Sequence, residues 1–396
     1  MGRHARRSRT GASPPLTRDT LLLVSTSYPI AADGSEAAGG FVADFATAIS
    51  RHMPVRVVGP GRSEDVERTT TVPVWRFSAG RRPLSLLSPA KPWHWPAIAG
   101  TLRSLNTQVL AADADARIAH TLALWALPSG WAARSLKQAR GVPYSVWALG
   151  SDIWSLGRLP IVDRVLARVC NDAVGAYADG LQLARDAEEI CGRAFQFMAS
   201  CRKLAGTRQS PVRRQGPFRL LYLGRWHRNK GIDLLFDALD LLDDRDWARI
   251  EQVHVAGGGP LAPMVHMRCS ALQAAGRPLR LSGFLDRSQA SAALAEADRL
   301  LLPSRIESIP VVLSDAMAYR LPIVSMPVGD LPALLSTGAG WLSELVSAEA
   351  FARAVRASLT GGHSETAVET LAARFNVDEQ ARAFARSLQL PGPPRD

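Results

Sequence analysis

The chain has 396 residues, 47% of them apolar, and carries a formal net charge of +11. That length exceeds one typical domain and that apolar content can fill a core, so a disordered or fibrous chain is excluded and two domains are expected. The charge does not call for a nucleic-acid partner, because Arg3, Arg6, Arg7, Arg9 and Arg18 form an acid-free tail over residues 1–18 that should be disordered, leaving +6 elsewhere. Cys170, Cys191, Cys201 and Cys269 make no C-x-x-C pair and no zinc-like spacing with histidine, which suits free thiols in the reducing cytoplasm. The first apolar run, Leu21–Val24, is far shorter than a signal-peptide core or a membrane span. A soluble protein is expected, or one attached peripherally to the inner face of the cell membrane.

In chain order, strands are predicted at Thr20–Ser25, Val55–Val58, Val72–Phe77, Ile118–Leu124 and Tyr144–Leu149, with helices at Phe41–Arg51, Leu127–Arg140 and Leu159–Asn171. Gly39-Gly40 falls in a loop just before the first helix, where glycine lets backbone approach a ligand and leaves helix amides for phosphate. Asp152 follows a strand, as a polar candidate or a helix N-cap. His120 lies inside an apolar run and reads as core. Ile190–Ile232 holds ten basic residues and no acid, and its aperiodic middle places a linker at 207–216.

Beyond the linker, strands are predicted at Arg219–Leu223, Gln252–Ala256, Leu279–Ser282, Arg299–Pro303 and Pro322–Ser325. Helices are predicted at Gly231–Leu242, Leu261–Ala275, Ser288–Ala297, Pro310–Tyr319 and Leu331–Thr337. Alternation of this kind implies a doubly wound parallel sheet in each half. The domains are then 19–206 and 217–372, with a terminal helix at 373–396.

One stretch organises the rest. After the run Leu300–Pro303, a polar loop carries Glu307 and leads into a helix opened by Pro310 and containing Asp315. A loop between strand and helix at the carboxyl edge of an open α/β sheet is the usual place for a ligand. Proline at the first helical position loses only an amide proton that had no partner, so the amides of Val311 and Val312 can meet an anion.

This stretch, together with Gly224-Arg225-Trp226-His227-Arg228-Asn229-Lys230-Gly231, resembles the retaining glycosyltransferases of family 4, which have the two-domain GT-B fold. Asp315 stands where that family usually has Glu, and Arg320 where it usually has Gly. The segments Trp125–Gly130 and Gly150–Ile153 also resemble the family, but Leu124 and Leu149 replace its usual histidines. The resemblance covers nearly all the chain beyond residue 20. It implies transfer of a sugar from a nucleotide-sugar donor, with no other cofactor, to a saccharide or lipid-linked acceptor, with retention, in polysaccharide or glycolipid synthesis.

Transfer leaves extra negative charge on a diphosphate, which must be stabilised where it develops. Here the cations are taken to be Arg225 and Lys230 with the positive end of the Pro310 helix, without a metal. Glu307 would accept from sugar hydroxyls and Asp315 from ribose hydroxyls. Asp152 is the acceptor-side candidate, and Gly39, Gly40, Phe284, Leu285, Ser308, Ile309 and Val311 are the other donor-binding candidates. A nucleotide-sugar epimerase of the same fold and a binding protein without transfer activity stay open as alternatives. Arg81–Trp95 interleaves cations with Trp93, Trp95 and leucines, so it is a candidate contact with anionic membrane, although its prolines rule out one continuous amphipathic helix.

Overall fold

The computed structural model describes residues 19–388 except 31–35, 69–70, 81–83, 85–86, 89–90, 205–207, 209 and 308. The arginine tail and Ser308 therefore lie outside the described residues. Two separate sheets organise the chain.

The first comprises β1 (Thr20–Ser25), β2 (Val55–Gly61), β3 (Asp65–Glu67), β4 (Val74–Ser78), β5 (Ile118–Leu124), β6 (Tyr144–Ala148), β7 (Gly175–Ala178) and β8 (Gln196–Phe197). Its order is β3-β4-β2-β1-β5-β6-β7-β8, and only the β3–β4 pairing is antiparallel. The second comprises β9 (Phe218–Arg225), β10 (Ile250–Gly258), β11 (Leu279–Ser282), β12 (Arg299–Leu302), β13 (Ile323–Ser325) and β14 (Gly340–Leu342). It runs β11-β10-β9-β12-β13-β14, parallel throughout. Helices cover both faces of each sheet, which is why central strands such as β1 and β5 are buried along their whole length, β1 around the apolar run Leu21–Val24 and β5 as a mostly apolar strand that also buries His120 and Thr121. Both sheets are thus doubly wound.

The main departures from the sequence reading have local causes. The 22-residue helix Trp95–Ala116 was not expected, because its buried face mixes Leu105 and Val109 with Thr101, Ser104 and Gln108, which dilutes the apolar period. The first helix starts at Glu36, so Gly39 and Gly40 lie inside it rather than in a preceding loop. β7 and β14 are short and built partly from Gly and Ala, too little apolar pattern to announce a strand. β10 runs on through Gly257 and Gly258, two residues beyond the predicted end at Ala256. Pro310 is the N-cap, not the first helical residue, of Val311–Ala318. All four cysteines are free and buried.

The carboxyl edges of the two sheets face each other. Asp330, in the loop after β13, accepts hydrogen bonds from the amides of Leu181 and Gln182, at the start of the helix that follows β7. Arg287 and Asp44 pair across the domains at 3.0 Å. The last helix, Val377–Ser387, lies on the first domain, where the Phe384 ring meets those of Tyr177 at 5.6 Å and Phe45 at 6.2 Å.

Phe384 is 2% exposed, so Phe384→Ala should cost about 3–5 kcal/mol, the usual toll of emptying a buried aromatic site. Thermal or urea unfolding reads this directly. A change below about 1 kcal/mol would mean that this helix does not hold the first domain together.

Candidate active site

Two loops at the carboxyl edge of the second sheet build the site. The loop after β9 leaves the strand at Arg225, turns through Arg228–Lys230 and enters the helix Ile232–Asp240 at Gly231. The loop after β12 runs from Pro303 to Pro310. They pass at van der Waals contact. Gly231 has φ +66°, and a β-carbon there would lie 1.7 Å from the carbonyl oxygen of Pro303, so no other residue fits.

A salt bridge locks the crossing. The Arg305 guanidinium takes both oxygens of Asp233, at 2.6 and 2.8 Å, and also donates to the carbonyl of Arg228 at 2.7 Å. The Arg305 amide donates to the Asn229 carbonyl at 2.9 Å. Burial alone would raise the Asp233 carboxyl, but the Arg305 contact outweighs it and holds the group below the usual carboxylate range.

This crossing brings Lys230 onto Glu307, as a hydrogen-bonded ion pair between Nζ and Oε1. Ser304 Oγ donates to the same oxygen at 3.2 Å, and the Glu307 side chain is only 10% exposed. Pair, loops and helix start together line a cavity of about 380 Å³ that also takes in Arg225 and Asp315. Phe284, Leu285, Ile309 and Val311 complete the predicted residues that line it. Phe284 is 76% exposed, an aromatic face open to a ligand.

Asp315 differs from Glu307 in its surroundings. It is 7% exposed, its Oδ1 has no hydrogen-bond partner, and burial pushes its carboxyl up to about 6 despite the Arg202 and Arg287 charges. A buried acceptor left unpaired is costly, and it suits a site where ligand hydroxyls supply the missing donors.

Three candidates fall elsewhere. Gly39 packs so that a β-carbon would lie 2.9 Å from the backbone of Tyr28 and Pro29, and Gly40 meets nothing within 4 Å; neither lines the cavity. Asp152 is 1% exposed, with one oxygen accepting from the Ala126 amide at 2.6 Å and the other from the amides of Leu149, Gly150 and Ile153. It ties the loops after β5 and β6 together and does not line the cavity. His120 is a core residue, 4% exposed and hydrogen-bonded to Ser145, with burial pulling its imidazole down to about 4.

Sequence reasoning missed Arg305, Asp233 and Arg202. A charged residue directly after a buried strand and an acid in the first turn of the next helix were the available signals. It also missed two Asp-x-Asp pairs, a pattern that can carry a divalent cation. Asp115 is paired with Arg56 and Arg68, and Asp113 accepts from the Ile118 amide. Asp244 pairs with Arg277, and Asp246 with Arg356 and a capping box. Neither pair lines the cavity, and among the described residues no three His, Cys, Asp or Glu side chains cluster as metal ligands.

Two facing doubly wound domains, with cations, a carboxylate and a helix start gathered at one inner edge, are the arrangement of the GT-B fold. Residues 217–360 match the family described as Glycosyl transferases group 1. The chain is similar to TuaC of Bacillus subtilis (strain 168), named for teichuronic acid biosynthesis, with 26% identity over 67% of this chain and 69% of that one. It is also similar to AmsK of Erwinia amylovora, an amylovoran biosynthesis glycosyltransferase, with 29% identity over 44% of each. In fold it resembles HepE of Anabaena, solved with UDP, at a TM-score of 0.66 and 16% identity over 93% of this chain and 99% of that one.

The raised Asp315 carboxyl gives a stability test with a definite sign. An acid shifted from its ordinary value near 4 up to about 6 costs nothing below pH 4, a growing amount between 4 and 6, and its full amount above 6. Asp315→Asn should therefore raise the unfolding temperature at pH 7–8, by an amount corresponding to roughly 1–3 kcal/mol, and leave it unchanged near pH 4. Equal effects at both pH values would show that the carboxylate is not paying for burial.

Proposed function

We propose that the protein transfers a sugar from a nucleoside diphosphate donor to a saccharide or lipid-linked acceptor with retention of configuration, as family 4 enzymes do, in polysaccharide or glycolipid synthesis. The observation that carries this reading is the Lys230–Glu307 pair held beside Arg225 and the start of the helix Val311–Ala318 in one cavity. The polysaccharide-related names of TuaC and AmsK support the synthetic role, and the UDP bound to HepE makes UDP the natural first probe.

In this reading the diphosphate lies against Arg225, Lys230 and the helix start, where the amides of Val311 and Val312 have no intrahelical acceptor. As the bond from the anomeric carbon to the phosphate oxygen breaks, its electron pair stays on the diphosphate. Positive charge already fixed at that point lowers the barrier without reorganisation. The acceptor hydroxyl forms its new bond from the face that the leaving group vacates, and its proton passes to the leaving phosphate oxygen. Glu307 accepts from sugar hydroxyls, Asp315 from those of the ribose, and Phe284 and Leu285 border the base.

Because the cations proposed are side chains, activity should survive chelation with EDTA. Among the described residues no helix is long and apolar enough to cross a membrane. We place the reaction in the cytoplasm or at the inner membrane face.

Glu307→Ala and Lys230→Ala should leave the fold intact, since each faces the cavity and the remaining partner can be solvated there. Transfer from a UDP-sugar should fall by about 10²–10³ in either variant. Turnover within a few-fold of the parent in both would remove the assignment of this site.

A further inference from the structure

A second cavity, of about 610 Å³, lies in the first domain and belongs to nothing described so far. It opens where β4 ends at Ser78 and is lined by Glu64, Gly80, Trp93, Thr101 and Ser104 among others. Glu64 comes from the connection after β2, so the cavity sits on the carboxyl edge of the first sheet, the edge that faces the second domain. β4 is two strands from β1 in the sheet, a displacement of about 10 Å.

Its floor is a carboxylate held in place. Ser104 Oγ donates to Glu64 at 2.6 Å and itself accepts from the Ser78 amide at 2.8 Å, while Gln108 Nε2 donates to the other carboxylate oxygen at 3.3 Å. Ser104 and Gln108 are each 8% exposed. An exposed glutamate ordinarily keeps its rotamer freedom, so two buried donors spent on orienting one are a form of preorganisation. Its remaining lone pairs can accept from hydroxyl groups.

The rim is aromatic. Trp93 is 72% exposed, and a ring of that size left in water beside a polar cavity marks a contact surface. His94 Nδ1 accepts from the Ser88 amide at 2.8 Å, which puts its proton on Nε2, available as a donor. An apolar ring face beside a fixed carboxylate and further donors matches the chemistry of a sugar, with one C–H face and a fringe of hydroxyls.

We propose that this cavity binds a sugar unit of an extended, neutral saccharide acceptor, remote from the hydroxyl that reacts. The inference rests on the reading that an acceptor saccharide enters the cleft, and it adds that the acceptor is an oligosaccharide or longer. The tryptophans and neighbouring cations would also suit a membrane surface, but a carboxylate oriented by Ser104 and Gln108 is arranged to accept from hydroxyl groups, which a surface contact does not need, so the saccharide is favoured.

The full-length protein can be tested on an array of neutral di- to hexasaccharides of glucose, galactose, mannose and N-acetylglucosamine, with binding of UDP, ADP, GDP and dTDP measured in parallel. The parent should be retained on at least one series, more strongly by trisaccharides and longer. Trp93→Ala and Glu64→Gln, both changes at the surface, should lower that retention at least tenfold and leave UDP affinity unchanged. Lys230→Ala should weaken UDP binding and keep saccharide retention. No retention of the parent, or equal retention of the two cavity variants, overturns the inference while intact UDP binding leaves the donor site standing. Failure of the parent to bind any of UDP, ADP, GDP and dTDP overturns the donor reading instead. If Trp93→Ala only abolishes binding to phosphatidylglycerol vesicles, the surface meets membrane and the saccharide assignment is wrong.

Discussion

The passage of the β9 loop across the end of β12 is the constraint on which the site depends. Strand pairing between β9 and β12 sets the two loop origins side by side, but pairing alone would leave both loops free to move. Contact between Gly231 and Pro303 removes the space a side chain would need, and Arg305 with Asp233 closes the gap from the other side. Lys230 and Glu307 are then neighbours because their backbones have no alternative. Their ion pair follows from the crossing; it does not create it. A half-buried pair of this kind adds little net stability once desolvation is counted, so its value lies in holding two charges ready at a fixed place.

Three carboxylates near the cleft show how surroundings divide one chemistry into different uses. Glu307 is neutralised by Lys230 and stays within reach of a ligand. Asp315 has one oxygen without a donor and a carboxyl raised to about 6, so it retains unused capacity to accept. Asp152 gives both oxygens to backbone amides and lies outside the cavity. Sequence position placed Glu307 and Asp152 in the connections after strands and Asp315 in the helix that follows Glu307; the donors around each separate their uses.

That distinction also marks how far the sequence could be read. The doubly wound plan was legible because buried parallel strands such as β1 and β12 carry the apolar runs Leu21–Val24 and Leu300–Leu302, and the loops after β9 and β12 carried their charges at the expected ends. Helix Trp95–Ala116 was not legible, since its inward face uses Ser104 and Gln108 to hold Glu64, and hydrogen-bonding residues do not register as a core. Arg320 was visible only as an unusual residue. Its φ of +51° shows why glycine would suit the place, and its salt bridge to Glu369 shows what the arginine gains in return. The helix start at Glu36 was hidden because Gly39 and Gly40 read as loop, whereas Gly39 is needed inside the helix for close approach to Tyr28 and Pro29.

The relation between the two domains rests on a similar economy. Asp330 is 2% exposed and does not cap its own helix; its oxygens reach across to the amides that open Leu181–Cys191 in the first domain. A negative charge at that helix start is favourable both as a hydrogen-bond acceptor and against the helix dipole. Beside it, Asp179 closes β7, and burial, with the charge of Asp152 next in weight and Asp330 adding to it, raises its carboxyl to about 7. Once Asp179 ionises, the same edge holds three negative groups, of which Asp152 and Asp330 are satisfied by amides and Asp179 has only Ser200 as its side-chain partner. Electrostatically the cross-domain contact is therefore most favourable while Asp179 keeps its proton, because the Asp330 carboxylate then faces one negative neighbour fewer.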